Sequence, residues 1–289
     1  MRNFVTLLFF SRVSMNHDHL ILLMSSLGYL DSSGDGICHG FTMMWVQAAC
    51  HNQLDAFYQR LEFIKEFIEK PSSLVQALED ARQKVRNKES LSTEDAQLLE
   101  VSAFFDGISV YQGTLHSNTL AQDSGSQLLN LERNMTWVRP QCAQDRLHKV
   151  SCAGQYTEAE FSDFLTHLAQ ASENRKNIVF TVNIPTHTLG LLYAGDGLFQ
   201  IMDINVKDFR PSPLVAPQEC ANLLFNHLFY PDLFHNKLLL RTTAFAVKRD
   251  NLPDLSFEHQ KNTPPYMSIE INEISFEKWT NITEILCFK

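Results

Sequence analysis

The chain has no stripe of lysine and arginine, no CxxC pair, no internal repeat and no apolar run of membrane-spanning length. Each absence removes a class of function. Its 24 basic residues are scattered among 33 acidic ones, for a net charge of −9. A direct nucleic-acid binder would show a basic patch instead, so that class is excluded, while a positively charged protein partner is permitted. Without a CxxC spacing no structural zinc site is expected. The six cysteines (Cys38, Cys50, Cys142, Cys152, Cys220 and Cys287) lie far apart in a chain too large to need staples, and they read as reduced thiols. Cys142 and Cys152, flanking what reads as a short polar loop, are the one pair to watch.

The most apolar N-terminal stretch, Phe4–Phe10, is at the short limit of a signal-peptide core and is followed by no small-residue cleavage site. It cannot span a bilayer, and nothing later approaches that length, so no integral membrane segment is expected. Residues 1–25 stand as an N-terminal extension whose status the sequence leaves open, with Met15 and Met24 as alternative starts. Within it, "NHDHL" (16–20) has no matching ligands at a metal-binding spacing and reads as a flexible polar segment. No metal and no organic cofactor is expected.

With 44% apolar and 20% charged residues, the remainder has an ordinary folding composition. Phe41, Met44, Trp45 and Ala48 recur at helical spacing over 38–50, and Leu54, Phe57, Tyr58, Leu61, Ile64 and Ile68 do so over 54–69. Pro71 opens a third helix to about Asn87, and Ser92 or Thr93 caps a fourth. Residues 113–127, rich in Ser, Thr, Asn and Gly, read as a loop, and 71–127 as a helical insert.

Strands dominate the second half. Thr157 with Glu160 forms a capping box for one helix, and a further helix is expected over "APQECANLLFNHLF". The segments 177–184, 187–194, 198–205, 237–248 and 266–276 have strand composition, and "GDG" joins the second and third as a hairpin. A helical half followed by a mostly antiparallel sheet defines the α+β class, here a single domain over 26–289.

One stretch, "SSGDGICHGFTMMW" (32–45), carries chemistry. Cys38 follows two glycines and opens a helix, where aligned peptide dipoles favour a thiolate and the cysteine's own N–H can receive an oxyanion. A nucleophilic thiol also needs an imidazole, and the imidazole needs an orienting carboxylate or amide. His187 opens one strand of the hairpin. Asp203 and Asn205 end the other, so a turn at 195–197 brings them level with the histidine. Cys50 and Cys220 fall within apolar helical patterns and read as core, as do Met44 and Trp45. His39 points away from Cys38 around the helix and reads as solvent-facing or capping.

"GDGICHGFTMMW", "HTLGLLY" and "FQIMDIN" together resemble the papain-like cysteine peptidases of the YopT type. "SLGYLDSSGDGICHGFTMMWVQA" is similar to the opening of the cysteine-protease-like domain of ankyrin-repeat effectors of Legionella-type bacteria. The resemblance implies a papain-like fold, with Cys38 as nucleophile, His187 as general base and Asp203 as orienting acid. Asn205 would be a secondary partner of the histidine. It further implies a bacterial effector translocated into the host cytosol and acting on a host protein. The chain departs from the pattern in two places. Ser32 and Ser33 stand where an oxyanion amide would be, and Ile204 replaces the proline of the acid motif. The expected activity is hydrolysis of a peptide, isopeptide or amide bond. The alternatives are an inactive scaffold binding a host protein and an acyl transferase, such as a transglutaminase, using the same residues.

Overall fold

In a computed structural model the chain is described over residues 14–29, 36–120, 147–175, 178–184, 187–228, 238–253 and 269–274. The helices are α1 (His17–Ser26), α2 (Cys38–Cys50), α3 (Leu54–Lys65), α4 (Pro71–Arg86), α5 (Thr93–Leu120), α6 (Glu158–Ser172) and α7 (Pro217–Leu228). The strands are β1 (Leu147–Tyr156), β2 (Val179–Ile184), β3 (His187–Gly195), β4 (Leu198–Met202), β5 (Leu238–Ala246) and β6 (Ile269–Ile274). They form one antiparallel sheet in the order β4-β3-β2-β5-β1-β6, so the molecule is α+β.

The two faces of the sheet bury different sets of helices because successive strand residues point to opposite sides. Val179 and Phe245 join Met202 in a core with residues from α1 to α5. Phe180, Val182, Leu189, Leu191 and Ala244 pack with Phe161, Phe164 and Leu224 of α6 and α7 on the other face. Thr157 and Glu160 cap α6 reciprocally, as their spacing requires.

Helix α2 is the central element of the first core. All its residues except His39 and Ala48 are buried, the pattern of a helix surrounded on every side. Two glycines make this possible. A Cβ on Gly40 would stand 2.1 Å from the Ile108 carbonyl oxygen of α5, and one on Gly190 would stand 2.7 Å from the Trp45 ring. The Trp45 indole N–H donates to the Tyr58 hydroxyl at 3.1 Å, and the Thr42 hydroxyl donates to the Thr188 carbonyl at 3.2 Å. These contacts tie α2 to α3 and β3.

Four expectations are corrected. Residues 16–20 are not a flexible polar segment. Asn16 caps α1 in a reciprocal pair with His19, and Leu20, Leu23 and Met24 enter the first core. The polar residues there occupy the cap and the outer face, which hid the helical period. Helix α5 continues to Leu120, so a loop does not begin at 113; residues 121–127 lie outside the described residues. Leu147–Tyr156 is an interior strand, paired with β5 and β6, rather than a polar loop. Its Ser151 hydroxyl meets that of Thr243 at 2.9 Å, so a polar residue is satisfied across the sheet. Cys152 within it is buried, while Cys142 lies outside the described residues. The third strand of the hairpin region ends at Met202, and Asp203 already begins a turn in which the Val206 N–H donates to the Asp203 carbonyl at 3.1 Å.

Helices α4 and α5, read as an insert, pack into the same core as α2 through Leu74, Leu78, Phe104, Phe105 and Ile108. Among the described residues no helix is long and apolar enough to cross a membrane.

Replacing Gly40 with alanine forces a methyl group against backbone that cannot rotate away. The Gly40→Ala variant should lose on the order of 1–3 kcal/mol or more of stability, the range for an overpacked core. Urea unfolding read by tryptophan fluorescence measures it, and an unchanged midpoint would contradict the close approach of α2 and α5.

Candidate active site

Three separate segments deliver side chains to one point. Cys38 is the first residue of α2, His187 the first of β3, and Asp203 follows β4. The hairpin pairing sets Gly190 against Met202, which brings the start of β3 beside the residues after β4. His187 Nε2 lies 2.9 Å from Asp203 Oδ1, and Cys38 lies close enough to the ring to act on its charge. A carboxylate only accepts, so Nε2 carries the proton facing Asp203. All three side chains are largely removed from water: Cys38 is 8% exposed, and the side chains of His187 and Asp203 are 14% and 5% exposed.

Burial alone would push the His187 imidazolium toward neutrality. The hydrogen bond to Asp203 and the charge of its carboxylate, with a further push from Cys38 beside the ring, outweigh it and push the pKa up to about 9. Asp203 is itself held in place, because the Asn205 N–H donates to the same Oδ1 at 2.8 Å. The Asn205 amide nitrogen lies 3.4 Å from His187 Nε2, on the nitrogen that Asp203 already occupies. Asn205 thus flanks the pair and is not the ring's main partner. His39 lies off this line, 3.4 Å from the Thr188 hydroxyl through Nδ1.

The helix start is built from beyond its own sequence. Ile37 precedes α2 without a side-chain cap, and the Gly40 N–H donates instead to the buried Gln112 side-chain oxygen at 3.0 Å. Gln112 comes from the part of α5 adjoining the expected loop, and its role had no signal in local spacing. His17 also reaches this region from α1, where its Nε2 accepts the Ile37 N–H at 3.4 Å. The Cys38 N–H, first in the helix, has no intrahelical partner by geometry. Ser32 and Ser33 lie outside the described residues. Among the described residues no cluster of His, Cys, Asp and Glu is arranged to hold a metal ion.

No family model matches this chain, and no match is found among curated proteins or solved structures. The site is therefore defined by its own geometry: an α+β fold that brings a cysteine to a histidine hydrogen-bonded to an aspartate.

A histidine whose pKa rises from 6.5 to about 9 on folding stabilises the fold fully below pH 6.5, and that contribution disappears as the pH rises through 9. Asp203→Asn removes the main source of the rise. The stability gap between wild type and Asp203→Asn should narrow as the pH is raised across that window, measured by denaturant titration at each pH. A gap that widened instead would contradict the pairing.

Proposed function

We propose that this chain is a papain-like thiol hydrolase with Cys38 as nucleophile, His187 as general base and then acid, and Asp203 as the orienting carboxylate. The buried His187–Asp203 hydrogen bond, with Cys38 of the helix start beside the same ring, carries the reading. His187, already protonated at neutral pH, holds the proton the thiol has given up, and the sulfur attacks as thiolate the carbonyl carbon of a peptide, isopeptide or side-chain amide. The oxygen gains negative charge facing the Cys38 N–H; a single donor of this kind is worth about 10²–10³ in rate. His187 then gives its proton to the leaving nitrogen, the C–N bond breaks, and a thioester remains. Water attacks the thioester as His187 takes a proton from it, and the acid is released with the thiol restored. If an amine took the place of water, the same residues would perform acyl transfer.

The likeness of the glycine–cysteine segment to effector domains supports a substrate in a host cell, with the host cytosol as the place of action. An inactive scaffold that binds a host protein is the competing reading, and reactivity separates the two. Burial pushes the Cys50 thiol up and that of Cys220 up to about 12, so neither should react readily. Cys38 should be alkylated by iodoacetamide much faster than any other cysteine, as followed by peptide mass mapping, and His187→Ala should remove the difference. Equal labelling of all accessible thiols, indifferent to that change, would sink the enzyme reading.

A further inference from the structure

His17 occupies a position that the proposed chemistry does not use. It is the first residue of α1, and that helix is fixed to the loop carrying the acid of the site. The Met15 N–H donates to Asp208 Oδ1 at 3.0 Å, and the Asp208 N–H donates back to the Met15 carbonyl at 2.8 Å. Lys65 of α3 pairs with the same carboxylate at 3.0 Å. Asp208 adopts a positive φ of 59° to make these contacts, five residues after Asp203. The start of α1 and the acid loop are therefore one clamped unit.

From this clamp the His17 ring reaches the two residues that lead into Cys38. Its Nε2 accepts the Ile37 N–H, and its Cε1 would be 3.2 Å from a Cβ on Gly36, which has a φ of 67°. Glycine is thus required at position 36 both by conformation and by the imidazole packed on it. To accept at Nε2 the ring must be neutral with its proton on Nδ1, the nitrogen 3.9 Å from Asp18. A proton on Nε2 removes the acceptor and places a second cation near His187.

We propose that His17 is a positioning residue: while neutral it holds the Gly36–Ile37 backbone by accepting the Ile37 N–H, and its protonation releases the approach to Cys38 and disables the site from the acid side. The charged groups acting on it are Asp18 on its own helix, His187 at the start of β3 and Asp203 after β4. Burial is the largest influence and, with His187, lowers its pKa against the opposing pull of the two aspartates. The ring thus stays neutral below its ordinary range. The consequence for reactivity rests on the thiol hydrolase reading; the backbone contact does not.

Two variants of the full chain test this. His17→Phe keeps the ring volume and removes the acceptor, whereas His17→Gln can present an oxygen near the Nε2 position and does not titrate. His17→Phe should slow Cys38 alkylation at neutral pH about tenfold or more, since small misplacements of reacting groups carry large penalties. It should also speed amide hydrogen exchange in the peptide spanning 36–38 by about tenfold, as expected when a local hydrogen bond is lost. His17→Gln should stay near wild type in both at neutral pH, and should keep its alkylation rate at acidic pH where the wild-type rate falls.

Unchanged exchange in His17→Phe overturns the positioning role, and a His17→Gln profile that falls together with wild type overturns the acid switch. If alkylation depends on His187 while both His17 variants match wild type, this inference alone fails. If Cys38 reactivity is indifferent to His187, the hydrolase reading fails, and exchange in the 36–38 peptide still decides the role of His17.

Discussion

The seating of α2 against β3 is the contact on which the rest of the molecule depends. A cysteine at a helix start becomes useful only when an imidazole is fixed beside it. Here the fixing is done by backbone proximity more than by long side chains. Gly190 lets the Trp45 ring lie against β3, Thr42 hydrogen-bonds the Thr188 carbonyl next to His187, and Gly40 lets α5 close on the opposite side. A helix squeezed from both sides has little freedom to slide, so Cys38 and His187 stay in register. The site's geometry is in this sense a product of core packing.

The electrostatics follow from the same burial. Taking a histidine and an aspartate out of water is unfavourable for each alone, and pairing them with good hydrogen bonds offsets that penalty. Asp203 accepts from both the His187 ring and the Asn205 backbone. The loop bearing it is anchored in turn at Asp208, between the start of α1 and Lys65. A carboxylate orients an imidazole only if it cannot itself swing away, and the anchor supplies that condition. The cluster of Phe41, Phe57 and Phe104 beneath, with Phe209 against Phe41 at 4.9 Å between ring centres, carries the loop's far end into the core.

Much of this was legible in the sequence where periodicity and local chemistry agreed. The bounds of α2 and the hairpin that brings His187 near Asp203 follow from apolar spacing and a glycine turn, which are short-range signals. What escaped notice was long-range. α1 looked polar because its histidines and asparagine serve as caps and contacts for distant segments. β1 looked like a loop because Ser151 and Gly154 break the apolar alternation, although cross-strand partners satisfy the serine. Gln112 and His17 hold the start of α2 from 72 and 20 positions away from the backbone groups they receive. No local pattern marks a side chain whose partner is a distant backbone N–H.

The central claim is that folding makes His187 the shared partner of a thiol and a carboxylate. Nitrogen-15 NMR of the histidine rings tests it most directly. His187 should carry protons on both nitrogens at neutral pH, with the Nε2 proton shifted far downfield by Asp203 and the charged state lost only near pH 9. A neutral ring at pH 7, titrating at the ordinary 6.5 in both wild type and Asp203→Asn, would contradict it.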